Sequence, residues 1–330
     1  MSDVAAAETT GERPRQAGPP ARLRPRIGPG SRRAGRGPIG RLEPLIWLGP
    51  ALILIGVVVL WPVVTLIQTS TQNITPIGVT IGSAGAGNYT TLFHNPNLPG
   101  ILVRTVVWVI SVVSITMVLS LGLAQLFNQR FPGRRVVRWA LIAPWAASVM
   151  MTALIFRWML QPGNGVINVF LHQLGLLPHL ESNQASWLGR PDSAMAWMIG
   201  VAVFVSLPFT TYTLLAGLQA IPGDLFEAAR IDGATRWRSY RAITLPLLRP
   251  AFIVAAVINL MNVFNSFPII WEMTRGGPGY ETNTTTVFMY NLKESFVGQA
   301  AAMSIVNFTL IIVIVLIYLR ISNWGKQEAS

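Results

Sequence analysis

The stretch DLFEAARIDGATRWRSYRAITLPLLRP, Asp224 to Pro250, lies between two segments apolar enough to live in lipid, where a simple turn would have joined them. Its residues spell a folded element instead. Asp224 followed three residues later by Glu227 is a variant of the capping box, and Pro222 closes off the preceding span. Gly233 falls where a helix of about two turns would stop, and glycine tolerates the left-handed conformation that ends helices. Thr235 can cap a second helix, on which Trp237, Tyr240 and Thr244 recur at helical spacing with Arg236, Arg238 and Arg241 between them, until Leu245 and Pro246 end it. The expected product is a short helix, a glycine elbow and a second helix at the membrane surface. Basic amphipathic helices of this kind also lie at headgroups with no further partner, so periodicity alone leaves two readings open.

The rest of the chain explains why such an element sits beside lipid. Of 330 residues, 52% are hydrophobic and 12% charged, against roughly a quarter charged in ordinary soluble domains. This is an all-α, polytopic membrane protein. Six apolar runs approach the roughly 20 residues that cross a bilayer core as a helix, near 45–67, 101–127, 137–160, 194–218, 251–271 and 300–320. The net charge of +12 does not point to nucleic acid, because the cations gather at span edges. Residues 1–41 hold nine arginines, 68–100 hold no Arg or Lys, and NQRFPGRRVVR holds four. Residues 161–193 hold only Arg190, 219–250 hold five arginines, and 272–299 hold Arg275 and Lys293. That alternation places both termini and the 219–250 loop in the cytoplasm of a bacterial inner-membrane protein. The tail 1–41 reads as disordered, serving topology or anionic headgroups. No signal peptide is expected, since the first apolar run is too long and lacks a small-residue cleavage site.

The string EAARIDGA followed by ITLP, with nine residues between Gly233 and Ile243, resembles the EAA loop of permease subunits in binding-protein-dependent ABC importers. GNGVINVFLHQLGL (Gly163–Leu176) and FNSFPIIWEMTRGGPGYETNTTTVFMYNLKESF (Phe264–Phe296) are similar to the carbohydrate-permease branch, the relatives of the maltose importer's larger subunit. The arginine-rich tail and overall pattern are most similar to the trehalose-importer permeases of actinobacteria. The resemblance implies a type I importer permease fold with a cytoplasmic coupling helix docked on an ATPase. Glu227, Ala228, Ala229 and Gly233 carry over onto that helix and elbow, and Asp232, Arg230 and Arg236 onto its rim. The implied partners are a second, homologous permease subunit, a dimeric cytoplasmic ATPase that binds ATP and Mg, an extracytoplasmic sugar-binding (lipo)protein, the sugar and membrane lipid. The implied cargo is trehalose or another disaccharide, with oligosaccharides and glycerol phosphodiesters as alternatives.

Within the fifth run, Asn259, Asn262, Asn265 and Ser266 recur at spacings of three and four, beside Phe264 and Phe267. Amides that bond hydroxyls and rings that stack on sugar faces suit a polyol pathway; asparagines also glue helices together. Ser304, Asn307, Tyr212, Thr210 and Thr211 are further candidates. All thirteen Asp and Glu residues fall in tails, loops or span edges, which weighs against an ion-coupled secondary transporter. His94, His172 and His179 sit in loops with no nucleophile or metal-ligand spacing, no cysteine exists, and no phosphate-binding GxxxxGK[ST] loop occurs. The chain is therefore expected to be non-catalytic and to hold no metal or cofactor.

Overall fold

A computed structural model of the chain describes residues 38–180 and 185–324. By its own contacts the chain divides into Met1–Gly56 and Val57–Ser330. The first unit contributes helix α1, Pro38–Ile55. Of the basic tail, only Pro38 to Arg41 fall among the described residues, and they open α1.

The second unit begins in a π-helical turn and continues as α2, Trp61–Ser70. An antiparallel hairpin, β1 Gln72–Ile74 and β2 Thr80–Ser83, and a short helix α3, Gly87–Phe93, lead into α4, Leu98–Asn128. Then come α5 Arg134–Ala146, α6 Val149–Met159, α7 Val166–Gln173 and α8 Pro191–Gln219. The element between the fourth and fifth expected spans follows as α9 Gly223–Ile231 and α10 Arg236–Ser239. The chain closes with α11 Leu245–Phe264, α12 Phe267–Thr274, α13 Thr285–Lys293 and α14 Val297–Trp324.

Among the described residues, five helical stretches are long and apolar enough to cross a membrane: Trp47–Ser70, Leu98–Asn128, Pro191–Gln219, Arg236–Thr274 and Val297–Ser322. The third expected span, 137–160, is instead two shorter helices, α5 and α6. They part at Ala147 and Ser148, both in extended conformation. The fifth breaks as well, between Phe264 and Phe267. Pro268 explains this second break: it has no N–H for the Phe264 carbonyl, and its ring would collide with that carbonyl in a continuous helix.

Helices α4, α8 and α11 pack on one another, α6 packs on α12, and α14 on α2 and α13. One buried cluster joins Trp108, Val112, Met198, Val263 and Ile270; a second joins Met117, Phe127, Leu214, Leu248 and Ala255. In lipid the hydrophobic effect does not draw helices together, so close packing and interhelical hydrogen bonds must. The tightest crossing is at Gly217 in α8, where a Cβ would overlap Ala251 Cβ of α11.

The connections on the side of the 161–193 loop are pinned by buried polar groups. Asn168 donates to the carbonyls of Gln161 at 3.0 Å and Ala185 at 3.1 Å while accepting from the Trp187 indole. In the TRGGP stretch, Arg275 takes a left-handed turn (φ 53) and Asn283 fills the space beside Gly276. The Thr285 amide donates to Thr105 Oγ1 at 2.9 Å, and Arg104 pairs with Glu281 at 3.2 Å. Arg157 donates to the Glu272 carbonyl at 3.2 Å.

Gly217→Ala is expected to lower the thermal unfolding midpoint in detergent, by an overpacking term of about 1–3 kcal/mol. Gly200→Ala on the same helix, with nothing within 4 Å, should be neutral or slightly stabilising. Equal midpoints for the two variants would contradict the close crossing.

Candidate functional site

Both helix breaks open onto one cavity of about 520 Å³. Its wall takes Trp145, Ala147 and Val149 from the α5–α6 break, and Asn265, Ser266, Pro268 and Ile269 from the α11–α12 break. Ser206, Phe209 and Thr210 of α8 and Asn259, Asn262 and Val263 of α11 complete much of it. Irregular backbone at membrane depth is tolerated where it lines a cavity or is buried in protein, and both breaks meet the first condition.

The cavity is rich in donors. Helices α6 and α12 begin at its wall, at Ser148 and Ser266, and neither N-terminus carries a side-chain cap. In α12 the Phe267 N–H bonds the Asn265 carbonyl at 2.8 Å and Pro268 has no N–H, so the unpaired first-turn donors come mainly from α6, while the positive end of each helix dipole lies toward this region. Asn259 is 2% exposed and its Nδ2 has no protein partner. Leaving a buried amide unpaired costs about 1–3 kcal/mol, a cost that a bound acceptor offsets. Asn265 Nδ2 donates to the Met261 carbonyl at 3.0 Å, and Thr210 Oγ1 to the Ser206 carbonyl at 2.9 Å. Trp145 and Phe209 add aromatic surface. Among the described residues, none that lines the cavity is ionisable.

The amide stripe read from the fifth run is thus brought together: Asn259, Asn262, Asn265 and Ser266 all line the cavity. It is not one continuous helical face, because α11 ends at Phe264 and Asn265 and Ser266 form the break. Of the other expected pathway residues, Thr210 lines the cavity and the rest lie elsewhere. Phe264 is buried in the core, and Phe267 stacks on Trp271 at 5.4 Å and packs against Tyr290 at 4.8 Å. Ser304 bonds the Ala300 carbonyl at 2.9 Å, Asn307 the Thr285 carbonyl at 3.3 Å, and the Tyr212 hydroxyl the Arg138 carbonyl at 3.2 Å. Thr211 is buried away from the cavity. Trp145, Ala147, Ser206 and Phe209 were not singled out in the sequence. The signal that could have found them is the run APWAAS, Ala143–Ser148, a proline and small residues in mid-span.

The 219–250 element departs from expectation at its two ends. Pro222, not Asp224, holds the N-cap of α9, and Asp224 lies in the first turn. The second helix does not stop at Leu245–Pro246. From α10 a π-helical turn, Tyr240–Thr244, runs straight into α11, so the helix continues past Pro246, which falls directly after that turn of different pitch. The elbow has a full Schellman pattern: Ala234 N bonds Ala229 O at 2.9 Å, Gly233 N bonds Arg230 O at 3.1 Å, and Gly233 has φ +73. Thr235 caps α10 by accepting from Arg238 N at 3.3 Å. No residue of α9 is buried: Glu227, Ala228 and Arg230 are exposed and Ala229 is half-exposed, as are Asp232, Gly233 and Arg236 beyond its end exposed. Ile231 is 87% exposed. An amphipathic helix with an uncovered apolar edge thus stands clear of the rest of the chain.

Residues 114–324 match the family described as "Binding-protein-dependent transport system inner membrane component". The chain belongs to that family. This inner-membrane component is 39% identical over 87% of its length to a Brucella suis biovar 1 (strain 1330) protein named "Probable ABC transporter permease protein", of which the match covers 99%. It is 37% identical over 65% of its length to the trehalose/maltose transport system permease of Thermococcus litoralis, covering 71% of that protein. Among solved structures it resembles a chain of the bacterial alginate ABC transporter in complex with an alginate pentasaccharide-bound periplasmic protein. That likeness has a TM-score of 0.72 and 25% identity, and covers 86% of this chain and 95% of that one. The type I importer permease fold expected from the sequence is therefore present, in an ABC permease of the inner membrane.

In this inner-membrane component, Asn259→Leu removes the unpaired buried amide. It is expected to leave the unfolding midpoint unchanged or raised while lowering uptake about tenfold, the worth of one hydrogen bond to an otherwise unpaired group. A lowered midpoint with normal uptake would make Asn259 helix glue.

Proposed function

We propose that this chain forms half of the translocation pathway of an ATP-driven, binding-protein-dependent saccharide importer. The observation that carries the proposal is the uncharged, donor-rich cavity at the meeting of two broken helices. Its volume lies within the roughly 300–1,000 Å³ of small-molecule sites. Hydroxyl and ring oxygens can accept from Asn259 and the uncapped N-termini, while Trp145 and Phe209 offer faces for the C–H side of a sugar ring. Trehalose is the first choice and another disaccharide or oligosaccharide the next. A glycerol phosphodiester fits less well, because a buried phosphate without a cation in reach carries a large desolvation cost. An ion-coupled carrier fits less well again, since no carboxylate lines the cavity.

The work comes from outside the chain. In this proposal α9 docks on one subunit of a dimeric cytoplasmic ATPase that binds ATP and Mg, with Glu227 offered to donors on that partner and Ala228 and Ala229 allowing close approach. Asp232, Arg230 and Arg236 form the rim of the contact. A second, homologous permease supplies the other half of the pathway, and an extracytoplasmic sugar-binding (lipo)protein delivers the cargo. ATP binding closes the ATPases, the two coupling helices approach one another, and the cavity turns outward. Both termini lie in the cytoplasm.

Purification of the tagged chain from its native membrane tests this reading. An ATPase and a binding protein should accompany it, and a neutral saccharide should stimulate hydrolysis. Accumulation of saccharide by the chain reconstituted alone would overturn the reading. In the assembled complex, Gly233→Val forces a β-branched residue to φ +73, where even an unbranched side chain costs about 1–2 kcal/mol. Hydrolysis is expected to continue while uptake falls, and normal uptake at normal protein levels would contradict the elbow's role.

A further inference from the structure

Among the described residues, one side-chain hydrogen bond leaves the cytoplasmic element between Pro222 and Thr244. Gln125 Nε2, near the end of α4, donates to the Tyr240 hydroxyl at 2.7 Å. Tyr240 is itself held, its ring stacked on Trp237 at 5.8 Å with Arg241 over the same indole at 5.7 Å. It opens the π-helical turn that leads without interruption into α11. A second bond joins the same two helices at the cavity: Trp108 Nε1 of α4 donates to the Val263 carbonyl at 3.0 Å, and Val263 lines the cavity wall. That carbonyl, in the last turn of α11, also accepts from the Ser266 amide at 3.2 Å, so the Trp108 bond is its second.

Trp108 and Gln125 stand about 25 Å apart along α4. Between them α4 and α11 share both large buried clusters, through Val112, Met117 and Ala124 on one side and Leu248, Ala255 and Leu260 on the other. Two helices tied at both ends and interlocked between cannot slide by one residue, about 1.5 Å, without losing both bonds.

We infer that α4 and α11 act as a single strut that carries displacement of the cytoplasmic element to the cavity, with Tyr240 as the positioning residue at its driven end. The inference rests on the coupling role proposed for α9. Without the Tyr240 bond, α11 would still follow α9 through the backbone, but α4 would lag and the cavity wall at Val263 would shear rather than move as a unit.

The test uses the complete importer in proteoliposomes, with ATP hydrolysed per sugar accumulated as the readout and radiolabelled trehalose, maltose and maltotriose assayed in parallel. Tyr240→Phe and Gln125→Met should each raise that ratio about fivefold at unchanged levels of assembled complex, the size expected for one side-chain hydrogen bond. The double variant should be no worse than either single one. Because the chain has no cysteine, Gln125→Cys with Tyr240→Cys can be bridged by a short bis-methanethiosulfonate, and the bridge should restore the wild-type ratio. An unchanged ratio in both single variants overturns the strut. So does a fall of uptake and hydrolysis in parallel with assembled complex, or a bridge that stops transport. A complex in which Gly233→Val leaves the ratio of ATP hydrolysed to sugar accumulated unchanged overturns the coupling reading, and the strut with it.

Discussion

Hydrocarbon offers no partner to a backbone N–H or C=O, and that single constraint organises this molecule. A chain in lipid must remain helical or surround its irregular backbone with protein or a wet space. Here the helices are long where they face lipid and broken at Ala147–Ser148 and Asn265–Ser266, where they face a common cavity. The cavity is thus a product of the breaks as much as their shelter. The same rule explains the buried polar pins on the connecting loops, where the Asn168 amide, the Thr282 hydroxyl and the Thr285 backbone amide each find a protein partner.

Much of this was legible in the residues, for identifiable reasons. The membrane-spanning helical class follows from long apolar runs, five of which meet, among the described residues, helical stretches long enough to cross. The elbow could be placed at Gly233 because a left-handed turn after two helical turns demands glycine, and Thr235 could be placed as a cap because its hydroxyl has one natural use there. Asn259, Asn262, Asn265 and Ser266 could be grouped because amides in lipid must share a face.

What escaped was equally physical. The break between α5 and α6 involves alanines and a serine inside an apolar run, so no change of polarity marks it. Tyr212, Ser304 and Asn307 are as polar as the cavity residues, yet each satisfies a neighbouring carbonyl in the helix packing. Polarity reports that a group needs a partner, and tertiary structure decides whether that partner is protein or cargo. Asp224 looked like a cap because its side chain suits the role, but Pro222 sets the start of α9 one position before Gly223. Pro246 looked like a stop because proline ends helices from within, yet the π-helical turn before it leads the helix on into α11.

The two half-helices α6 and α12 lie against each other and both begin at the cavity. Part of the hydrogen-bonding capacity of the cavity wall is therefore main-chain, and no point mutation other than to proline removes it. Side chains around it, Trp145 and Phe209 among them, are free to vary in size and shape without dismantling that capacity. A lineage built on this plan can exchange one oxygen-rich cargo for another by small steps, each intermediate still able to hold something.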